Sequence, residues 1–205
     1  MRIYSIEEGR ALVKAARNAI ELYLRNPHFS KNLVKSSIEH RNEYYGVFVT
    51  LEHYPTRTLR GCIGFPRAIE PIKSSLVEAA LSAAFDDPRF VPVSVHELDS
   101  LVVEVSILSE PKETRKDLKS RLKEVEVGRD GLLVEYGFYS GLLLPIVPVE
   151  EKWGKEQFLE ETCIKAGLPA DYWKRPDVKL YKFETQIFRE EEPGGNVREV
   201  SLKGL

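Results

Sequence analysis

The chain has 205 residues, of which 42% are hydrophobic and 30% charged, so it can bury a core and is not a disordered chain. Its 30 Lys and Arg residues and 32 Asp and Glu residues give a net charge of -2. That balance argues against a protein that binds nucleic acid through an excess of basic residues.

The N-terminal helix is predicted by a capping box, in which Ser5 and Glu8 exchange hydrogen bonds with each other's backbone. Apolar residues then recur at helical spacing until Asn26-Pro27 ends the helix. The other predicted helices are 31–41, which has a mixed pattern, 72–85, which follows Pro71 and stops before Pro88, and 150–166, which ends before Gly167.

A β-hairpin is predicted from 45–53 and 58–64, because both segments are rich in β-branched and aromatic residues and a turn at 54–57 joins them. With a four-residue turn, His53 pairs near Thr58 and Cys62 pairs near Val49. Side chains alternate along a strand, so Arg60, Cys62 and Gly64 are expected on one face.

The second half of the chain contains further strands and one charged segment. Strands are predicted at 101–108, at 125–127 and 132–135 around an Asp-Gly turn, at 138–144 and at 178–188. The charged segment 111–124 is expected on the surface, and the tail from Glu190 is expected to be loose. Short turns join several strands, so the sequence predicts an α+β fold with a mostly antiparallel sheet flanked by helices.

The segment Leu59–Phe65, LRGCIGF, is unusual because glycine weakens the packing of a strand interior. Gly61 and Gly64 make sense if a ligand or another backbone approaches closely, and a guanidinium at Arg60 would favour a thiolate at Cys62. The alternative is a buried structural cysteine, with glycines that accommodate a packed helix.

Two other places carry candidate acids and bases. Asp87 and Arg89 follow a helix end in AFDDPRFVP, where they could act on or hold an anion; the alternative is a local salt bridge at a helix stop. Glu104 interrupts an apolar strand and could point into a cleft, although strand alternation alone explains it equally well.

No metal site is predicted. The histidines His28, His40, His53 and His96 are scattered, and Cys62 and Cys163 form neither a CxxC pair nor a disulfide framework. The chain shows no stretch of roughly 20 apolar residues and no export signal, so we expect a cytoplasmic protein. Two Gln residues and one Met indicate a heat-adapted source.

Six segments resemble the AMMECR-domain family, which is named for a human chromosomal region linked to Alport syndrome, midface hypoplasia and elliptocytosis. They occur in the family's order from about Ala11 to Phe188, and the chain looks like a stand-alone archaeal-type member. The segments are LRGCIGF, AAFDDPRFVPVSVHEL, LVVEVSILSEP, VGRDGLLVE, SGLLLPIVPVEEKW and FLEETCIKAGLP. The chain departs from the family at Ile146, where relatives often carry glutamine.

The resemblance implies one unit over 1–205 with two subdomains and a cleft near the LRGCIG motif. We expect the larger subdomain at about 1–85 plus 145–190 and the smaller at about 86–144. The family supplies no settled reaction. Its association with Memo-type and radical-SAM proteins implies a shared pathway, and the cofactor, if any, stays unknown.

Three functional hypotheses follow. In the first, the protein is an enzyme that acts on a small anionic substrate. Cys62 is its thiolate, Asp87 and Glu104 move protons, and Arg60, Arg89 and the motif glycines Gly61 and Gly64 form the binding site. In the second, the same motif forms a non-catalytic module that binds a ligand or a protein. A nucleic-acid contact through 112–123 ranks third, because acids interrupt that basic run.

Overall fold

The computed structural model describes residues 3–38 and 43–201 and has the predicted α+β class. Its helices are α1 Ile6–Arg25, α2 Asn32–Ser37, α3 Ile72–Phe85, α4 Val95–Leu98, α5 Leu118–Glu124, α6 Val147–Glu150 and α7 Lys155–Lys165, with a 3-10 helix at Ala170–Lys174. Its strands are β1 Gly46–His53, β2 Leu59–Phe65, β3 Leu101–Leu108, β4 Lys112–Glu113, β5 Asp130–Tyr136, β6 Tyr139–Leu143, β7 Lys179–Glu190 and β8 Val197–Val200.

The chain packs as two compact units. Among the described residues, the first contains those from Ile3 to Leu108 and again Gln186–Val200, and the second contains Ser109–Thr185 and Ser201. Strand β7 therefore contributes its first half to the second unit and its second half to the first. The subdomain limits expected from the sequence, with a smaller part at 86–144, stay a prediction.

In the first unit, β1 lies between β2 and β3 and pairs antiparallel with both, while β8 pairs antiparallel with β7. Helices α1 and α3 pack on this sheet, and the core between them is apolar. Its residues include Leu12, Ala16, Ile20, Leu76, Ala80, Val47, Val49, Leu51, Val103 and Val105. The core holds the motif strand β2 beside α3.

The predicted starts of α1 and α3 are confirmed. Ser5 accepts from the Glu8 N–H and the Glu8 carboxylate accepts from the Ser5 N–H, so the capping box is present. Helix α3 begins directly after Pro71, whose missing N–H costs nothing there. The second predicted helix is shorter than expected, and its end at 39–41 lies outside the described residues.

In the second unit, β5 pairs antiparallel with β6 and β7, and β4 pairs with β7. Helix α7 and the 3-10 helix cover a core that includes Phe158, Leu159, Trp173, Leu132 and Val134. Strands β5 and β6 are joined by the two-residue turn Gly137-Phe138. Gly137 has a φ of 60°, which only glycine adopts freely.

The predicted hairpin around the Asp-Gly turn is wrong. Residues 125–127 form no strand, and Asp130 and Gly131 are the first residues of β5. The buried Asp130 carboxylate accepts from the Glu126 N–H at 2.9 Å and pairs with Arg129 at 2.9 and 2.8 Å. This aspartate therefore anchors the turn before the strand instead of forming a hairpin corner.

The segment 111–124 is mostly exposed, as expected, and the segment after Glu190 is ordered instead of loose. The segment 111–124 contains β4 and α5, and Arg121 of α5 is fully buried because its guanidinium donates to main-chain carbonyls. The tail expected to be loose from Glu190 contains β8, which pairs with β7. No helix in the described part of the chain is long and apolar enough to cross a bilayer.

Candidate functional site

Strand β2 carries the motif and contains a β-bulge at its start. Leu51 of β1 lies opposite Gly61, but Glu52 lies opposite Leu59, so Arg60 is an extra residue. The His53 N–H donates to the Thr58 carbonyl as predicted, but the bulge shifts the register beyond it. The sequence predicted that Cys62 pairs near Val49. Because of the bulge, Cys62 lies opposite Thr50 in the structure.

The Cys62 thiol is a partly buried hydrogen-bond acceptor. The Thr50 hydroxyl donates to its Sγ at 3.2 Å. Burial raises the pKa of the Cys62 thiol above its ordinary value, and the negative charge of Glu104 raises it further; the Thr50 hydrogen bond and the charge of Arg89 oppose these effects without cancelling them. The direction of this shift disfavours the thiolate at neutral pH, whereas an adjacent arginine would favour it.

Asp87 and Arg89 form hydrogen bonds with the backbone N–H and carbonyl of Cys62 at the outer edge of β2. The Asp87 Oδ2 accepts from the Cys62 N–H at 2.9 Å, and the Arg89 Nη2 donates to the Cys62 carbonyl at 3.2 Å. The two side chains also form a two-point ion pair at 2.9 and 2.6 Å. This pairing holds the pKa of Asp87 well below its usual range, so its carboxylate stays charged.

Arg60 is held by partners of its own. Its guanidinium is bound by both Glu97 carboxylate oxygens, at 2.5 and 3.1 Å, and donates to the Val91 carbonyl at 2.8 Å. Its Cζ lies 5.6 Å from the centre of the Phe90 ring. The arginine also lowers the pKa of Glu97. Arg60 thus ties the segment after α3 to the motif strand.

Glu104 lies in the same row of the sheet as Cys62, because both are opposite Thr50 on either side of β1. Its carboxylate is 3% exposed and accepts from the Arg189 Nε at 2.5 Å. Arg189 is also 3.6 Å from Glu52. Glu104, for which the sequence left open a cleft position or plain strand alternation, is therefore a member of a buried ion-pair network.

The two motif glycines are explained by close packing. A Cβ on Gly61 would lie 2.1 Å from the Ala83 carbonyl oxygen of α3, and a Cβ on Gly64 would lie 2.3 Å from the Val47 carbonyl oxygen. Both contacts are with main chain, which cannot turn aside as a side chain can. Gly61 therefore allows the close approach of β2 and α3, and Gly64 allows the close approach of β2 and β1.

The structure brings four of the predicted residues together. Cys62, Asp87 and Arg89 are in contact, and Glu104 lies across β1 from Cys62. Arg60 is turned towards Glu97 instead of the thiol. The roles assigned to these residues from the sequence stay predictions.

Sequence reasoning missed three partners: Thr50, Glu97 and Arg189. The pattern offered a signal for Thr50, which is a polar residue in the apolar run of β1 and lies on the same row as Glu104. Glu97 and Arg189 come from distant segments, so the sequence offered no signal for them.

No group of three His, Cys, Asp or Glu side chains able to hold a metal occurs in residues 3–38 and 43–201. His40 lies outside the described residues. A cavity of about 360 Å³ lies in the second unit, and its lining includes the turn at Gly137–Ser140 together with Asp177 and Lys179.

Comparison with known proteins supplies the family. The AMMECR1 family model matches residues 13–188. Protein MJ0810 of Methanocaldococcus jannaschii is 51% identical over 203 residues, which cover 98% of this chain and 100% of that protein. Protein TK0174 of Thermococcus kodakarensis is 49% identical over 202 residues, covering 96% and 97%. These relatives come from thermophilic archaea.

A solved structure has the same fold. The crystal structure of uncharacterized protein PH0010 from Pyrococcus horikoshii superposes with a TM-score of 0.90 at 48% identity, and covers 96% of this chain and 98% of that one. The arrangement of strands and helices described above is thus shared with a solved relative.

Proposed function

The chain belongs to the AMMECR1 family, and from this premise we propose that it is a non-catalytic protein-binding module that docks its partner beside the LRGCIG motif. The observation that carries the proposal is the pairing of both motif-side arginines within the chain. Arg60 is neutralised by Glu97 and Arg89 by Asp87. Each guanidinium is already paired with a carboxylate, so it attracts a small anionic substrate less strongly than an unpaired arginine would.

Three exposed apolar side chains lie on the segments that carry these pairs. Leu59 is 42% exposed, Val91 76% and Val95 58%. All three belong to segments that Arg60 joins, because Arg60 follows Leu59, donates to the Val91 carbonyl and pairs with Glu97 of α4. We call Leu59, Phe90, Val91 and Val95 the motif surface. Clustered exposed apolar side chains rimmed by charge are typical of protein-docking sites.

The enzyme hypothesis has weaker support. A nucleophilic cysteine needs a lowered pKa, whereas burial raises the pKa of Cys62. Asp87 is fixed as a carboxylate by Arg89 and by the Cys62 N–H, so it has little freedom to exchange a proton near neutral pH. The same contacts support a scaffold that shapes the motif surface.

The family association suggests the partners to test first, which are a Memo-type protein and a radical-SAM protein from the same organism. Each is titrated calorimetrically with the full chain and with the double variant Val91→Asp/Val95→Asp. We expect at least one partner to bind the wild type, and the double variant to bind at least about tenfold more weakly, because charge in the apolar surface must be desolvated on docking.

Two controls sharpen the test. Ile164→Asp changes a side chain that is 51% exposed in the second unit, and it should leave binding unchanged. Cys62→Ser should also bind as the wild type does. Equal binding by Val91→Asp/Val95→Asp and the wild type would overturn the proposal. Turnover that Cys62→Ser abolishes and the double variant retains would favour the enzyme.

A further inference from the structure

Strand β6 forms an open edge of the sheet in the second unit. It pairs with β5 on one side, and Tyr136 and Tyr139 flank the two-residue turn. In such a hairpin the flanking pair exchanges hydrogen bonds, and every second residue after it turns its backbone groups away from the partner strand. Ser140 and Leu142 therefore present an N–H and a C=O each at the outer edge.

These four groups have no hydrogen-bond partner among residues 3–38 and 43–201. Natural sheets blunt such edges with charged side chains or proline. Here no charged residue lies between Glu135 and Glu150, and strand β6 itself contains no proline. Phe138 is fully exposed at the turn and Tyr139 is 54% exposed. The edge thus has the features of a strand that accepts another strand.

We propose that β6 pairs antiparallel with β6 of a second copy of this chain, about a two-fold axis at Gly141. In this register Ser140 of each copy exchanges two hydrogen bonds with Leu142 of the other, which satisfies all four outward groups of both edges. Tyr139 of each copy lies opposite Leu143 of the other, an aromatic–aliphatic pair of the kind that stabilises sheets.

A second copy fits this edge better than a charged partner does. An uncharged strand meets its own copy without like-charge repulsion, and the register about Gly141 is fully self-complementary. The end of α7 lies over the proposed axis, since a Cβ on Gly141 would be 2.8 Å from the Ala166 Cβ. The residues there, Ala166 and Gly167, are small and leave room for the copy.

The oligomeric state tests the proposal directly. Sedimentation equilibrium of the full chain from 5 µM to about 1 mM should show a monomer–dimer equilibrium. Ser140→Pro removes the outward N–H of both copies and should weaken the dimer by about tenfold or more. Ser140→Ala keeps that N–H and should match the wild type. Ser140→Lys places a charge on the edge, and it is the alternative variant for this test if Ser140→Pro fails to fold.

The register is tested by a distance. In a Phe138→Cys/Cys62→Ser variant carrying a nitroxide at 138, two labels in the dimer should lie about 20 Å apart, since each lies three residues from the axis. A monomer over the whole concentration range would overturn the proposal. A dimer whose dissociation constant is unchanged by both Ser140→Pro and Ser140→Lys would also overturn it, and so would a much longer distance between the two labels. A monomer that loses binding of another protein in Ser140→Pro would assign the edge to that partner instead.

Discussion

The carbonyl oxygen of Ala83 lies 2.1 Å from the position that a Cβ would occupy on Gly61. This contact joins the motif strand to the C-terminal end of an alanine-rich helix. A strand and a helix meet this closely only where neither presents a side chain. The first glycine of LRGCIG is therefore a packing requirement of the first unit, independent of any ligand.

Gly61→Ala should consequently destabilise the protein by about 3 kcal/mol, because the added methyl group forces main chain apart. Gly154→Ala is a matched control: nothing lies within 4 Å of its Cβ. It should cost no more than about 1 kcal/mol, the usual effect of changing a helix N-cap. Urea unfolding measures both. Similarly small losses of unfolding free energy in Gly61→Ala and Gly154→Ala would mean that α3 can move away from β2.

The Cys62 thiol should react slowly with iodoacetamide at neutral pH. Burial raises its pKa, so in a Cys163→Ala background the rate should climb only as the pH passes the ordinary thiol range near 9. The same chain unfolded in urea is the control and should react several-fold faster at pH 8. A native rate that levels off below pH 8 would reveal a thiolate and restore the enzyme hypothesis.

Asp87 should make the stability depend on pH in the acid range. The pKa of its carboxyl is lowered in the folded state by Arg89, so its stabilising effect is complete above the unfolded value near 3.8 and is lost as the pH falls below it. Asp87→Asn keeps an oxygen for the Cys62 N–H but removes the charge.

The difference in unfolding free energy between the wild type and Asp87→Asn should therefore be constant from pH 5 to 7 and shrink from about pH 4 downwards. Urea unfolding at each pH measures it. A difference that stayed constant down to pH 2.5 would show that the Arg89 pairing contributes no charge-dependent stability.

Local patterns predicted much of the fold. The capping box at Ser5 and the apolar periodicity defined α1, and the hairpin of β1 and β2 followed from residue type and the turn. Such features depend on residues close in the chain. The Asp-Gly pair at 130 was misread because aspartate also serves as a buried acceptor, and the carboxylate of Asp130 has its partners in the preceding turn.

The site was less predictable because its contacts are long-range. The bulge at Arg60 decides which β1 side chain meets Cys62, and the neighbouring Gly61 was interpreted as a site of close approach instead of a bulge marker. Glu97 and Arg189 lie 37 and 85 residues from their partners Arg60 and Glu104. Only the packed fold determines which arginine meets which acid, and hence whether a guanidinium is free for a ligand.

The Arg60–Glu97 pair should be worth more than an exposed pair of similar geometry. Its side chains are 6% and 23% exposed, whereas those of the Arg175–Asp177 pair are 43% and 51% exposed. A double-mutant cycle with Arg60→Met and Glu97→Gln should give a coupling free energy of about 2 kcal/mol. The cycle with Arg175→Met and Asp177→Asn should give a much smaller coupling free energy, because water and salt screen exposed charges. Equal coupling free energies in the two cycles would contradict the proposal that Arg60 holds the motif surface in place.

Arg121 should be the strongest anchor of the second unit. It is 1% exposed, donates to the Arg175 and Val178 carbonyls at 2.8 and 2.5 Å, and also donates to the Trp173 carbonyl. Burial lowers its pKa, and none of these partners is a carboxylate. The side chain thus supplies hydrogen-bond donors to carbonyls in the last turn of the 3-10 helix and in the segment that follows it.

Arg121→Lys keeps the charge but cannot span three carbonyls with one ammonium group, so it should cost about 3 kcal/mol. Lys123→Met, an exposed change in the same helix, should stay within about 0.5 kcal/mol. Hydrogen exchange should show lost protection at 170–180 and unchanged protection at 59–65. Uniform loss across both segments would mean that the two units unfold together, and no loss in Arg121→Lys would mean that water can replace the guanidinium.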